Sequence, residues 1–244
     1  RYSPDLCLVY LAHIYVLPEA RGTVLTYWLR TSPVELAMQF LAELHRRGLI
    51  RLPAPDAPGR SYGMRLNLAA EMEYWSPEDA QSLQRILFYG RGGFDAVDPK
   101  HFPYAQPDFR DADLIRTTRN TPLPFMLLLR RVGRERSARL AIDEARATMR
   151  LLYDEFERFC DPEDLQASLA VVLDRLDRRE GKGKTTVDLL PLPTGARDLN
   201  RLKRFFRWNV YSRYYPGHPG TRAYREGPVR ARLAANPRWP QEEI

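Results

Sequence analysis

Residues 32–68 read SPVELAMQFLAELHRRGLIRLPAPDAPGRSYGMRLNL, and the way this stretch is parsed decides the fold. Ser32 is followed by Pro33, and Glu35 lies three residues after the serine, which is the form of a capping box. In that motif the serine oxygen accepts a hydrogen bond from a first-turn N–H and the glutamate returns one to the serine N–H. Proline at the first helical position gives up a donor that has no partner there anyway. Leu36, Phe40, Leu41 and Leu44 then recur at helical spacing, and Gly48 supplies a stop after Arg46 and Arg47. The spacing predicts a helix over 33–47. Leu36, Phe40 and Leu44 would face a core, with Glu35, Gln39, Ala42 and Arg46 on the opposite stripe. Leu49–Ala54 reads as a strand, residues 55–59 (PDAPG) as a turn, and Ser61–Leu68 as a returning strand. Tyr62, Met64, Leu66 and Leu68 share one face of that strand.

Upstream, residues 4–17 form an apolar helix or strand, and Val24–Leu29 is a second short apolar segment. Helix, short helix, capped helix and hairpin, in that order, resembles the winged helix-turn-helix superfamily over residues ~5–68. That resemblance implies a third helix in the major groove and a wing on phosphate or the minor groove. Gln39 and Arg46 would then meet adenine and guanine edges, and Arg47, Arg51 and Arg60 the phosphates. Glu35 and Glu43 sit on or near the same stripe and repel phosphate, and many winged helices dock proteins instead. The run Leu44–Pro53 (LHRRGLIRLP) also resembles the N-terminal segment of the DruA-like proteins of bacterial defence islands. That likeness ends within its own neighbourhood, and no function follows from it.

Downstream, residues 76–88 read as a helix and 90–124 as a long irregular linker punctuated by Gly and Pro. Ile142, Ala145, Met149, Leu152, Phe156 and Phe159 step by three and four. After the Asp161-Pro162 cap, Leu165, Leu169, Val172 and Leu176 do the same. Two such stripes across a tight turn predict an antiparallel αα-hairpin. Thr186–Leu192 reads as a strand or extended connector, and Ala196–Tyr215 as a last long helix. The expected fold is mainly α with a small β-hairpin: a winged helix (1–75), a helix with irregular linker (76–135), an αα-hairpin with connector (136–194), and a basic, aromatic-rich helix and tail (195–244).

Charge is concentrated at one end. Residues 195–244 hold eleven basic and four acidic side chains, whereas residues 1–194 hold 27 of each, so the net +7 belongs to the C-terminal segment. There Arg197, Arg201, Arg204, Trp208, Tyr211 and Tyr215 fall on one helical stripe, with Lys203 and Arg207 beside it. Leu199, Leu202, Phe206 and Val210 form a separate apolar stripe. Arginine forks suit phosphate, and flat rings interleaved with them suit base stacking.

Other chemistries find less support. Cys7 and Cys160 cannot build a disulfide framework or a four-ligand zinc site, and they read as reduced thiols of a cytoplasmic protein. No run reaches ~18 apolar residues, so no membrane span is expected. Asp95, Asp98, Asp108, Asp111 and Asp113 with His101 imitate a metal site, but the Lys of a nuclease motif is missing after Asp113. The residues 90–93 (GRGG) have no preceding strand and no Lys-Ser/Thr after them, so they are not a phosphate loop. His218 and Arg222 near Tyr211, Tyr214 and Tyr215 are one residue too far apart for a tyrosine recombinase. The sequence therefore points to a cytoplasmic, non-catalytic DNA-binding protein without cofactor or metal: a regulator, replication initiator or accessory of mobile elements or defence. Duplex DNA ranks ahead of RNA as its ligand. The alternative is an interaction subunit of a larger nucleoprotein complex, with its winged helix docked on protein, its basic tail on nucleic acid, and the αα-hairpin available for protein partners or a second copy.

Overall fold

The computed structural model describes residues 1–51, 64–73, 80–118, 122–123, 125–135, 137–195 and 198. The strands are β1 (Leu6–Leu11), β2 (Arg65–Met72), β3 (Asp95–Val97), β4 (Met126–Arg131), β5 (Arg139–Ala141) and β6 (Thr186–Pro191). The helices are α1 (Val24–Arg46), α2 (Ala80–Arg91), α3 (Ala112–Thr118), α4 (Ile142–Phe156) and α5 (Pro162–Glu180). The strands form one six-stranded sheet in the order β1-β2-β4-β3-β6-β5. β1 and β2 are parallel, as their connection through α1 requires, and every other neighbouring pair is antiparallel.

Side-chain alternation divides the core in two. Leu66, Leu68, Ala70 and Met72 of β2 and Met126 and Leu128 of β4 face α1 and α2. Ala69, Leu127 and Leu129 face the other way, against α4 and α5. The molecule is thus a three-layer α/β/α arrangement. Because β4 is covered on both faces, its first four residues, 126–129, are a continuous apolar run rather than an alternating one.

This architecture overturns the expectation of a mainly α fold with a small β-hairpin. Residues 65–72 do form a strand, but its two edges are taken by β1 and β4, so no edge is left to pair with 49–54. Leu49 and Ile50 lie in a bend, and residues 52–54 are outside the described residues. The linker expected over 90–124 contains β3 and α3, and the sheet draws strands from residue 6 through residue 191.

The helix at 33–47 is the second half of a longer one. α1 starts after Thr23, whose Oγ1 accepts from the Leu25 N–H at 3.3 Å, and Ser32-Pro33 lies inside it. An interior proline leaves a carbonyl of the preceding turn without its helical donor. Beside that break Arg130 donates from Nη1 to the Arg30 carbonyl at 2.9 Å. The stop at Gly48 is as expected: its φ is +68°, its N–H reaches the His45 carbonyl, and the Leu49 N–H reaches the Leu44 carbonyl, a Schellman motif. The buried face is rotated from the expected one. Ala37, Leu41 and Leu44 are buried, whereas Leu36 is 64% and Phe40 48% exposed.

The αα-hairpin is present. Met149, Leu152 and Phe156 of α4 and Leu165, Val172 and Leu176 of α5 share one buried cluster. Asp161 Oδ1 caps α5 by accepting from the Glu163 N–H at 2.9 Å, with Pro162 at the first helical position. Thr186–Pro191 is β6. No helix among the described residues is long and apolar enough to cross a membrane.

Candidate nucleic-acid interface

The cleft lies between the β1–α1 connection, the first turns of α1, and α2. α2 buries Leu83, Ile86 and Leu87 against the sheet. Its other side turns Gln84, Arg85, Phe88 and Arg91, spaced by three and four, toward residues 14–22, Thr26 and Arg30 across an open cleft of about 550 Å³. Four arginines line it (Arg21, Arg30, Arg85 and Arg91), with the rings of Tyr15, Phe88 and Tyr89, and no carboxylate lines it among the described residues.

Three of those arginines are held in the same way. Nε of Arg21 donates to the Val16 carbonyl at 3.2 Å, Nε of Arg30 to the Thr26 carbonyl at 3.1 Å, and Nε of Arg91 to the Thr194 carbonyl at 2.9 Å. Each stem is thereby fixed, while the terminal Nη fork carries no hydrogen bond among the described residues. Arg30 also lies over Phe88, with its guanidinium carbon 5.8 Å from the ring centroid. Arg85 differs, because its Nη2 reaches Glu73 Oε2 at 3.5 Å. Three anchored forks with no carboxylate facing them among the described residues have the chemistry to accept an anion: planar donors already positioned lose less freedom on binding phosphate oxygens.

Glycines at the end of α2 make the cleft possible. A Cβ on Gly90 would lie 2.1 Å from the Pro193 carbonyl oxygen, so only glycine lets the helix lie against the chain leaving β6. A Cβ on Gly92 would lie 3.3 Å from the Arg30 stem. Gly93, at φ +79°, closes a second Schellman motif, in which the Phe94 N–H meets the Tyr89 carbonyl and the two rings pack 5.2 Å apart. The run 90–93 is therefore a helix terminus that seats Arg91. Gly90→Ala is expected to cost roughly 1–3 kcal/mol or more, the usual penalty of overpacking against backbone. Equilibrium unfolding in urea measures it, and parental stability would show that the carbonyl yields freely.

The residues singled out from sequence that the structure describes stand elsewhere. Gln39 is exposed and donates to Glu35 Oε1 at 3.0 Å. Arg46 and Arg47 both engage Glu43, Arg46 through Nη2 at 2.6 Å. Their helix packs on a sheet face, and the strand expected to close the wing is an interior strand between β1 and β4. Arg51 is exposed and away from the cleft lining. Arg60, Arg197, Arg201, Lys203, Arg204, Arg207, Trp208, Tyr211 and Tyr215 lie outside the described residues. Arg21, Arg30 and Arg91 carry no spacing that sequence reasoning could have joined; the Gly-rich run around Arg91 was the one local signal.

The acidic residues near 95–113 are dispersed in separate local tasks. Burial pushes Asp95 up to about 6, partly offset by the Arg131 charge. Asp98 accepts from the Lys100 N–H, Asp108 is chelated by Arg110, Asp111 caps α3, and Asp113 pairs with Arg116. His101 lies between Arg179 and Asp188. No group of three His, Cys, Asp or Glu gathers at one point among the described residues.

Two glutamates brace the sheet. Glu71 accepts from Tyr10 Oη, Tyr104 Oη and Gln106 Nε2. Burial lifts its carboxyl above the usual range even against those bonds. Three donors occupy both oxygens, which makes it a structural tie between β1, β2 and the 104–106 loop. Glu144 plays the corresponding part farther along β2. No family model, no curated protein and no solved structure matches this chain.

Proposed function

We propose that this protein binds nucleic acid without reacting with it, gripping the sugar-phosphate backbone in the arginine-lined cleft and along its basic C-terminal segment. The observation that carries the reading is the set of three arginines, each anchored through Nε, whose forks carry no hydrogen bond and whose cleft is lined by no carboxylate among the described residues. The C-terminal segment supports it through chain continuity. Arg91 is bonded to Thr194, and Arg197 follows three residues later, so the +7 segment begins beside the cleft.

Removing one arginine–phosphate interaction should lower the slope of log K against log[salt] by about 0.7 on single strands and 0.9 on duplex. Replacing Arg21, Arg30 and Arg91 with alanine is therefore expected to flatten that slope by about two units on single strands. Replacing Arg197, Arg201 and Arg204 should flatten it separately. Fluorescence anisotropy across a salt series reads both. Parental affinity and slope in both variants would end the proposal.

A second reading is favoured by α1. Val24, Leu25, Trp28, Leu36 and Phe40 are all at least 45% exposed along it, more apolar surface than one helix ordinarily leaves open. An interaction subunit would use this face. The stripes of α4 and α5 are already spent in the core.

A further inference from the structure

The geometry points to a single strand as the ligand of the cleft, with an unstacked base laid on the Arg30–Phe88 platform and its flanking phosphates on Arg21 and Arg91. This rests on the nucleic-acid reading above and narrows it. A volume of about 550 Å³ falls within the ~300–1,000 Å³ of sites that enclose small ligands, so it has room for a nucleotide or two and none for a double helix. A duplex turns its phosphates outward and hides its base faces, so it can offer this cleft nothing for a ring to stack on. A single strand offers a base face beside each phosphate.

The walls supply both partners. Arg30 is fixed through Nε, and its guanidinium plane is backed by Phe88, whose ring sits half-buried against the core. A planar cation supported from below is a surface on which a base stacks. Tyr15, 75% exposed, stands at the rim as a second ring. Arg21 and Arg91 line the same cleft with their own anchored stems, which supplies forks for the phosphates next to the stacked base. The cleft is open rather than closed, so a strand can run through it.

The test uses the whole chain, a fluorescent twelve-nucleotide single strand of mixed sequence, the duplex of the same sequence, and a free 5′-phosphorylated mononucleotide. Two variants separate stacking from charge. Arg30→Lys keeps the charge and loses the plane, and Tyr15→Ala removes an exposed ring that contributes little to the core. Both should weaken single-strand binding roughly five- to hundredfold, the loss expected for one stacked base, with an unchanged salt slope and unchanged duplex affinity. The mononucleotide should bind far more weakly than the strand. If it binds equally well, the ligand is a free nucleotide and the inference fails. It also fails if the two variants bind the single strand as the parent does, or lose strand and duplex alike. Should the parent bind no nucleic acid at all, the functional proposal falls first. Should it bind with a salt slope that the Arg21, Arg30 and Arg91 variant flattens while the stacking variants change nothing, only this inference falls.

Discussion

Glu144→Ala is expected to destabilise the protein by about 3–5 kcal/mol, the cost of removing one partner from a buried, hydrogen-bonded ion cluster. Glu144 is 2% exposed and sits in the first turn of α4. Its Oε2 accepts from Arg134 Nη1 at 2.7 Å, and its Oε1 from Arg134 Nη2 and Asn67 Nδ2, both at 2.8 Å. Arg65 Nη1 adds a longer interaction with Oε2 at 3.5 Å, and Arg134 Nη2 also reaches Asn67 Oδ1 at 2.9 Å. One carboxylate therefore joins α4, β2 and the turn after β4. Alanine leaves Arg134 Nη1 and Asn67 Nδ2 without the acceptor they share, and only the bond from Arg134 Nη2 to Asn67 Oδ1 remains. Burial by itself would raise the Glu144 carboxyl, but the bonds from Arg134 and Asn67, with the charges of Arg134 and Arg65, outweigh it and hold the group below its usual 4.5. The unfolded chain consequently takes up this proton at higher pH than the native one, so the stabilisation is complete above about 4.5 and is lost as pH falls through the native value. Glu144→Gln keeps the shape without the charge, so its deficit relative to the parent should be larger at neutral pH than in acid. Urea unfolding at several pH values measures this, and a deficit that stays constant or grows on acidification would refute the assignment.

The parts of this fold that sequence disclosed are those whose cause is local. The steps of three and four in α4 and α5, the Asp161-Pro162 cap and the Gly48 stop are settled within a turn or two, and each is present. Leu66 and Leu68 are correctly read as one face of a strand. What misled was partner choice. A hairpin to 49–54 is the nearest pairing, but β2 pairs with β1 across the whole of α1 and with β4 beyond two more helices. β4 hides because burial on both faces erases alternation, and β3 and β5 are only three residues each. Ser32-Pro33 has the chemistry of a helix start, yet Thr23 caps the helix, and packing of Ala37, Leu41 and Leu44 carries it through the proline. The cleft was illegible for a related reason. Arg21, Arg30 and Arg91 meet only once α1 and α2 lie side by side on one sheet face, and no spacing along the chain records that.

Met149→Asp tests the opposite face of the same sheet and should cost roughly 5 kcal/mol or more. Met149 is 0% exposed, packed with Ala145, Leu152, Leu165 and Val172 between α4, α5 and the strands. Truncating a buried methionine costs about 2–5 kcal/mol, and burying a carboxyl without a hydrogen-bond partner adds a further ~2–7. Against a typical total stability of ~5–15 kcal/mol, the variant should be substantially unfolded at 25 °C. Met149→Leu conserves volume and should cost less than about 1.5 kcal/mol, which separates charge from shape. The aspartate should also behave oppositely to Glu144. Its neighbours in the core cluster are apolar, so burial raises its native pKa, and the penalty grows as pH rises through the unfolded value near 3.9. Far-UV circular dichroism and urea unfolding of the three proteins at acid and neutral pH read the difference. If Met149→Asp melts with the parent at neutral pH, the stripe through residue 149 faces water, and the packing of α4 between α5 and the sheet is wrong.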